Sequence, residues 1–208
     1  MERKRVGIVL FEDIEALDFC GPYEVFSVTR VREERRREEP SPYEVLLVAQ
    51  NAGPVAVCGG MRVIAGYDFS TCPQLDVLVA PGGFGVRTQI GNPAMLDFLR
   101  RRAAEVETLA SVCTGAMLLG FAGLLDGRAA TTHWRSLQWM RESFPRVAVT
   151  GDRRVVEDGR LLTSAGISAG IDLALRIVAR DYGDELARAT AQHMEYPYPD
   201  ANARRMAC

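Results

Sequence analysis

The feature that most constrains the fold of this chain is the alternation of short apolar runs with longer segments of helical period. Three of the runs, at residues 6–11, 75–80 and 106–112, are rich in apolar residues and bounded by turn or loop signals. Strands of this kind are typical of a parallel sheet that helices cover on both faces. The pattern therefore predicts an α/β fold with a doubly wound, mostly parallel sheet.

Apolar spacing and turn signals place the individual elements. Predicted strands cover residues 5–11, 43–49, 55–57, 75–80 and 106–112, with a turn at 51–54 and a small β-hairpin of 153–157 and 160–163. Asp158-Gly159 would supply the type I′ turn of that hairpin. The first predicted helix begins at Pro22 and continues through residues 23–31. Further predicted helices cover residues 94–104, 116–121, 134–143, 167–182 and 184–195. One domain, 1–208, with 196–208 as an extended C-terminal arm, accounts for the whole chain.

Charge and hydropathy exclude several classes of function. The chain has 25 Lys and Arg against 27 Asp and Glu, and its net charge of -2 gives no field that would attract nucleic acid or an anionic membrane. No apolar run approaches the roughly 18 residues that span a bilayer, and the start lacks a signal-peptide pattern. We therefore expect a cytoplasmic protein that binds a small molecule and neither nucleic acid nor membrane.

The cysteines and histidines do not fit a metal site. The five cysteines include no C-x-x-C pair, and their odd number favours reduced thiols over a disulfide framework or a zinc ribbon. The two histidines, His133 and His193, are too far apart to bind one metal ion from a single helix face. We expect no bound metal.

Cys113 occupies the most informative position in the sequence. The strand at 106–112 passes through Cys113-Thr114-Gly115 into an apolar helix without a loop signal. A thiol at such a turn faces the N–H groups and the positive dipole end of the helix, so we expect its pKa to lie below the ordinary value of about 8.5. The turn resembles the nucleophile elbow of hydrolases. The alternative is a small buried hydrophobic side chain, as most free cysteines are.

Further candidates follow the first and central predicted strands, because ligands of open α/β sheets bind beyond the carboxyl ends of the strands. Gly82 and Gly83 either present backbone N–H groups to a developing negative charge or form a tight turn that needs positive φ. Asp18 is either a helix cap or a carboxyl aimed at the pocket, and Glu15 ranks second to it. His133 suits either a general base or a residue at the N-terminus of a helix.

Three segments occur in a specific order along the chain, namely Ala80-Pro81-Gly82-Gly83, Ser111-Val112-Cys113-Thr114-Gly115-Ala116 and Ala130-Thr131-Thr132-His133-Trp134. On these segments the chain resembles the ThiJ/PfpI superfamily, which has the topology of class I glutamine amidotransferases. The likeness runs from Val6 to Met194. It implies a flavodoxin-like fold and, since relatives are commonly dimeric, a homodimer.

One branch of this superfamily is most similar. Leu17-Asp18 and the segment that begins at Gly21-Pro22, together with Cys113-Thr114-Gly115, look most like the isonitrile hydratases, which convert an isonitrile to an N-substituted formamide. The resemblance implies Cys113 as the nucleophile, Asp18 as the acid beside it, Thr114 as an assisting neighbour and no cofactor. The predicted substrate-binding residues are Gly82, Gly83, His133 and Ile167.

The chemistry of these residue types fits the implied reaction. Cys113 would attack the isonitrile carbon while a protonated Asp18 supplies a proton, and water activated by the ionised Asp18 would then release the formamide. Thr114 stands where the protease-like members carry a histidine, so no adjacent Cys-His pair can form. Peptidase activity is therefore disfavoured.

Two alternatives stay open at the level of the sequence. The first is a glyoxalase-like or deglycase-like hydrolase, although those members bring a glutamate to the cysteine. The second is a cysteine-based redox sensor or ligand sensor, because AraC-type regulators share this fold and the segment that ends in His133-Trp134. Exposed apolar groups at Phe19, Tyr23 and Phe26 would suit the expected homodimer.

Overall fold

The computed structural model describes residues 2–199 and 201–204. The strands are β1 (Lys4–Val9), β2 (Tyr43–Ala49), β3 (Gly53–Ala56), β4 (Arg62–Ala65), β5 (Tyr67–Asp68), β6 (Val77–Ala80), β7 (Thr108–Val112), β8 (Ala129–Ala130), β9 (Ala148–Val149), β10 (Val155–Asp158) and β11 (Leu161–Ser164). The helices are α1 (Ala16–Val28), α2 (Val86–Gln89), α3 (Pro93–Glu105), α4 (Gly115–Phe121), α5 (Leu137–Ser143), α6 (Ala169–Tyr182) and α7 (Asp184–His193). Short 3₁₀ turns cover Glu33–Arg35 and Trp134–Ser136.

The central sheet has the strand order β10-β11-β7-β6-β1-β2-β5. Every neighbouring pair is parallel except β10 and β11, which form the antiparallel hairpin. In the centre, Ile8 of β1 lies between Leu47 of β2 and Val79 of β6 in register. The predicted doubly wound α/β fold with a small hairpin is confirmed.

Helices cover both faces of this sheet, and the core lies between them and the strands. On one face α1, α6 and α7 pack against one another, and on the other α2 and α3 pack against α4. Phe26 packs on Tyr43 with ring centroids 4.8 Å apart, and Phe98 stacks on Phe69 at 4.1 Å. Because both sides of each central strand are covered, apolar residues occur at consecutive positions instead of every second one.

The first helix begins six residues earlier than the sequence predicted, at Ala16 instead of Pro22. Pro22 lies inside α1, where its missing N–H costs one backbone hydrogen bond and its ring packs close to α6 at Gly170. The prediction of exposed apolar groups for a dimer was wrong for Phe19 and Phe26, since both are buried in the core. Tyr23 is exposed, and the homodimer itself stays a prediction.

Two predicted turns differ from the structure. Gly53 and Pro54 were predicted to lie in a turn, but they belong to β3 and pair with β4, a strand that was not predicted. Pro is tolerated there because β3 is an edge strand of a two-stranded sheet. In the later hairpin Asp158 pairs with Leu161, so the loop is Gly159-Arg160, and only Gly159 has positive φ. The type I′ turn was therefore wrong, because that turn needs positive φ at both central residues.

The described part of the C-terminal arm lies along the free edge of β10. The Asn202 side chain accepts a hydrogen bond from the Val155 N–H (2.9 Å) and donates one to its carbonyl (2.7 Å). The Arg204 N–H donates to the carbonyl of Asp152 at 2.7 Å. Residues 200 and 205–208 of the predicted arm lie outside the described residues. Among the described helices, none has the length and apolar character that a membrane crossing requires.

Candidate functional site

Cys113 stands at a sharp turn between β7 and α4. Its φ is +57°, in the left-handed region that a residue with a Cβ adopts only when the surrounding structure imposes it. The turn is tight because Gly115 lies directly against the carbonyl of Ala80, where any Cβ would overlap it. On the other side the Thr132 hydroxyl donates to the Cys113 carbonyl at 2.8 Å. The nucleophile-elbow geometry expected from the sequence is therefore present.

Asp18 reaches the same point from α1. It lies in the first turn of the helix, makes no capping hydrogen bond and is fully buried, so the cap interpretation was wrong. Its Oδ2 accepts a hydrogen bond from the Gly82 N–H at 2.9 Å. Its Oδ1 is buried without a hydrogen-bond partner among the described residues. A buried carboxylate oxygen left unpartnered is costly, which is typical of a functional group.

Thr114 and the two glycines form one hydrogen-bonded unit. The Gly83 N–H donates to Thr114 Oγ1 at 3.1 Å, while the Gly82 N–H donates to Asp18. Both glycine N–H groups are thus used within the protein, and the expected anion-binding pair of free N–H groups is not what the structure contains. The glycines serve to position Asp18 and Thr114 instead.

Burial controls the protonation of the two reactive groups. Desolvation raises the pKa of Asp18 from 3.8 to about 7, against the lowering effects of the Gly82 N–H and the Cys113 thiol. Desolvation and the negative charge of Asp18 raise the pKa of Cys113 above its ordinary value, although the Thr114 and Ile167 N–H groups act in the opposite direction. The expectation of a lowered thiol pKa was wrong, because the nearby carboxylate and burial outweigh the α4 N-terminus.

His133 lies on the side of the pocket and begins the 3₁₀ turn at Trp134. Its Nδ1 accepts a hydrogen bond from the Arg135 N–H at 3.3 Å. Burial first, and then the charges of Arg204 and Arg135, lower the pKa of His133. The ring packs so closely on Gly166 that a Cβ there would overlap it. His133 is thus a neutral, half-buried wall residue at neutral pH.

Ile167 faces the same pocket in an unusual backbone conformation. Its φ is +57°, which is a true outlier for a β-branched residue, and α6 begins only at Ala169 and not at residue 167 as predicted. The side chain is 39% exposed despite being apolar. Since its backbone N–H acts on both Asp18 and Cys113, the strained turn serves the site.

A single pocket of about 260 Å³ joins most of these groups. The predicted residues in its lining are Gly83, Cys113, Thr114, His133 and Ile167, whereas Asp18 and Gly82 lie outside the lining. Glu15 was ranked second to Asp18 and lines the mouth, while Phe84, Arg87 and Arg135 were not predicted. Their only sequence signal is their position just after Gly83 and His133. The described residues contain no cluster of side chains suited to hold a metal ion.

Comparisons with known proteins agree with this architecture. The family model described as the DJ-1/PfpI family matches residues 4–180. The isonitrile hydratase of Pseudomonas putida is 36% identical over 92% of this chain and 78% of its own length. The HTH-type transcriptional regulator CdhR of Pseudomonas aeruginosa is 35% identical over 70% of this chain, but the match covers only 43% of the regulator.

Solved structures give the same result. The crystal structure of a ThiJ/PfpI family protein from Pseudomonas syringae has a TM-score of 0.82 and 30% identity, and the match covers 97% of this chain and 79% of the other. An AraC family transcriptional regulator from Pseudomonas putida has a TM-score of 0.77 and 25% identity, with 92% and 99% covered. These matches confirm the resemblance seen in the sequence. The chain is a member of the DJ-1/PfpI family.

Proposed function

We propose that this protein adds water to an isonitrile and releases an N-substituted formamide, with Cys113 as the nucleophile and without a cofactor. One observation carries the proposal: the Cys113 thiol, on a backbone with positive φ, is hydrogen-bonded to the buried carboxyl of Asp18. Such a pair can move one proton while sulfur forms a bond to carbon. The similarity to an isonitrile hydratase over 92% of this chain supports the same reaction.

In the first step the thiol adds to the terminal carbon of the isonitrile. Because burial keeps the thiol protonated, Asp18 in its ionised form accepts the thiol proton as sulfur attacks. Asp18 then delivers this proton to the same carbon. One S–C bond and one C–H bond form, and the product is a thioimidate on Cys113. This differs from the sequence-based scheme, in which Asp18 starts protonated.

In the second step a water molecule attacks the thioimidate carbon. Asp18, ionised again, accepts one proton from the water and passes it to the nitrogen, so that the tetrahedral adduct carries a hydroxyl group and an N–H. The C–S bond then breaks as the hydroxyl becomes the formamide carbonyl, its proton passes through Asp18 to the sulfur, and the N-substituted formamide leaves. Over both steps, one isonitrile and one water become one N-substituted formamide. Thr114, held by the Gly83 N–H, keeps the wall beside the reacting sulfur in place.

The pH dependence tests the role of Asp18. Since the base form is required and its pKa is about 7, kcat/KM is expected to rise with pH, with a midpoint near that value, and to level off above it. Rates measured from pH 5 to 9 with an aryl isonitrile provide the check. A rate that falls with pH through this range would assign Asp18 the role of a starting acid instead.

The reaction itself is tested by mass-monitored turnover of cyclohexyl isonitrile and an aryl isonitrile. We expect formamide with the wild type and a loss of about 100-fold or more in Cys113→Ala and in Asp18→Asn, as for other nucleophile and base deletions. Cys20 is a free thiol on α1 outside the pocket lining, so Cys20→Ala is the matched control and is expected to keep the full rate. Full activity in Cys113→Ser would eliminate the thioimidate mechanism.

A ligand sensor is the second candidate, because transcriptional regulators are among the similar proteins. The same panel, extended with methylglyoxal, separates the candidates. Conversion of methylglyoxal alone would favour the glyoxalase-like alternative. Saturable binding of isonitriles without turnover would favour the sensor. Redox sensing is disfavoured by the raised thiol pKa, since oxidation proceeds through the thiolate. The cytoplasmic location stays a prediction.

A further inference from the structure

We propose that Arg87 and Arg135 form a subsite for an anionic group at the mouth of the Cys113 pocket, and that the substrate is therefore an isonitrile that carries a carboxylate. The identity of the reaction rests on the proposed function above. The anion subsite rests on the charges and contacts of the pocket itself.

The two arginines come to one pocket from separate segments of the chain. Arg87 lies on α2, the short helix that follows β6 and Gly83, and Arg135 lies on the 3₁₀ turn that follows His133. Both side chains line the pocket that contains Cys113. The guanidinium groups are thus placed at the edge of the sheet where ligands of this fold class bind.

Each arginine is held on an aromatic ring. The guanidinium carbon of Arg87 lies 5.7 Å from the ring centroid of Trp139, and that of Arg135 lies 4.9 Å from that of Trp134. Stacking on a ring restrains the flat face of a guanidinium and leaves its N–H edge free to donate. Neither side chain makes an ion pair or a hydrogen bond within the described residues. Both therefore keep their full donor capacity for a ligand.

The charge balance of the pocket favours an anion. Glu15 is the one carboxylate that lines the mouth among the described residues, against the two guanidinium groups. Asp18 lies deeper and is fully buried. The mouth thus carries a positive excess on a chain whose net charge is -2. Local fields of this kind raise the concentration and binding of ligands of opposite charge.

The rest of the lining suits a small ligand with an apolar body. Phe84 and Ile167 line the pocket and are 73% and 39% exposed, and His133 adds an aromatic wall. The cavity of about 260 Å³ has Cys113 in its lining. A ligand with an isonitrile at one end and a carboxylate at the other would place its carbon at the sulfur and its charge between the arginines. Guanidinium groups bind carboxylates through paired N–H donors.

Binding of benzoate and of benzamide, matched in shape and different in charge, tests the subsite without catalysis. Calorimetry should give a dissociation constant about tenfold lower for benzoate than for benzamide. In the Arg87→Gln/Arg135→Gln double variant this difference should disappear. The chain has two tryptophans, Trp134 and Trp139, so intrinsic fluorescence reports on this subsite. Arg180→Gln, an exposed arginine of α6, is the control and keeps the preference. Equal or absent binding of both probes would overturn the subsite.

Turnover of 4-isocyanobenzoate and of its methyl ester then connects the subsite to the reaction. We expect KM for the acid to be about tenfold lower than for the ester, and this difference to vanish in the double variant but to persist in Arg180→Gln. Equal KM values with formamide release would refute the subsite and leave the reaction. Benzoate selectivity without any formamide would refute the reaction and leave the subsite.

Discussion

At the scale of the residue, the buried carboxyl of Asp18 lowers the free energy of unfolding when it is ionised. Its pKa is about 7 in the folded chain, against an ordinary value of 3.8, because α1 buries it. The folded state therefore binds a proton that the unfolded state has released between these values. The contribution of the Asp18 carboxyl to the free energy of unfolding is fully present below pH 3.8 and is lost as pH rises through about 7.

Replacing Asp18 by Asn should stabilise the fold above neutral pH. The amide can still accept the Gly82 hydrogen bond but carries no charge to desolvate, so we expect a gain of about 1 to 4 kcal/mol at pH 8 and none at pH 3.5. Urea unfolding at both pH values measures it. Glu24→Gln, on the exposed face of α1, should show no such pH-dependent gain. An identical effect of Asp18→Asn at both pH values would contradict the buried-charge account.

Gly82 is a second residue whose identity is decided by the site. A Cβ there would lie 2.6 Å from Thr114 Oγ1 and 2.8 Å from Asp18 Oδ2, closer than real Cβ contacts allow. We expect Gly82→Ala to lower kcat/KM by about 100-fold or more, because displacement of about 1 Å at reacting groups has effects of that size. Gly66→Ala is the matched control, since nothing lies within 4 Å of its Cβ position. Steady-state kinetics that are equal for the two variants would refute the packing argument.

At the scale of the element, the C-terminal arm serves as an additional partner for the edge strand β10. Asn202 satisfies both backbone groups of Val155, and Arg204 donates to the Thr132 carbonyl at 2.9 Å. Thr132 in turn donates to the Cys113 carbonyl. The arm therefore covers an exposed sheet edge and supports the segment beneath the elbow.

Removal of the Asn202 side chain should loosen this edge. Loss of its two hydrogen bonds leaves the Val155 N–H and carbonyl to solvent, at a cost of about 1 to 2 kcal/mol in local stability. Amide hydrogen exchange at Val155 is expected to accelerate about 5-fold to 30-fold in Asn202→Ala. The amide of Val79 in the central strand serves as the internal control and keeps its rate. Unchanged exchange at Val155 would show that the arm does not hold the edge.

Element boundaries show where local sequence signals stop being decisive. Asn92-Pro93 predicts the start of α3 correctly, because the Asn92 side chain accepts the Ala94 N–H at 3.1 Å, a local contact. Pro22 gives the same kind of signal at α1, but the start that it predicts is wrong because α1 begins at Ala16. There the burial of Phe19 and the packing of α1 on α6 stabilise a helix that begins before Pro22, and local sequence carries no information about that packing.

At the scale of the whole molecule, one sheet joins two helical layers. Leu118 of α4 and Leu175 of α6 are fully buried on opposite faces. If residues 1–208 fold as one domain, Leu118→Ala and Leu175→Ala should each lower the free energy of unfolding by about 2 to 5 kcal/mol. Both variants should then unfold in one transition that fluorescence and circular dichroism report at the same urea concentration. Separate transitions would show that the layers unfold independently.

Local patterns in the sequence are sufficient to predict the apolar runs of the central strands and the position of Cys113 between a buried strand and a helix. Those features are local, since they depend on neighbouring residues such as Gly115. Packing between distant segments places Asp18 beside the thiol, engages the glycine N–H groups in hydrogen bonds, and brings Arg87 and Arg135 to the mouth of one pocket. It also reversed the expected pKa of Cys113. The physical reason is that desolvation and charge coupling depend on distances between segments that are far apart in the chain, which only their packing sets.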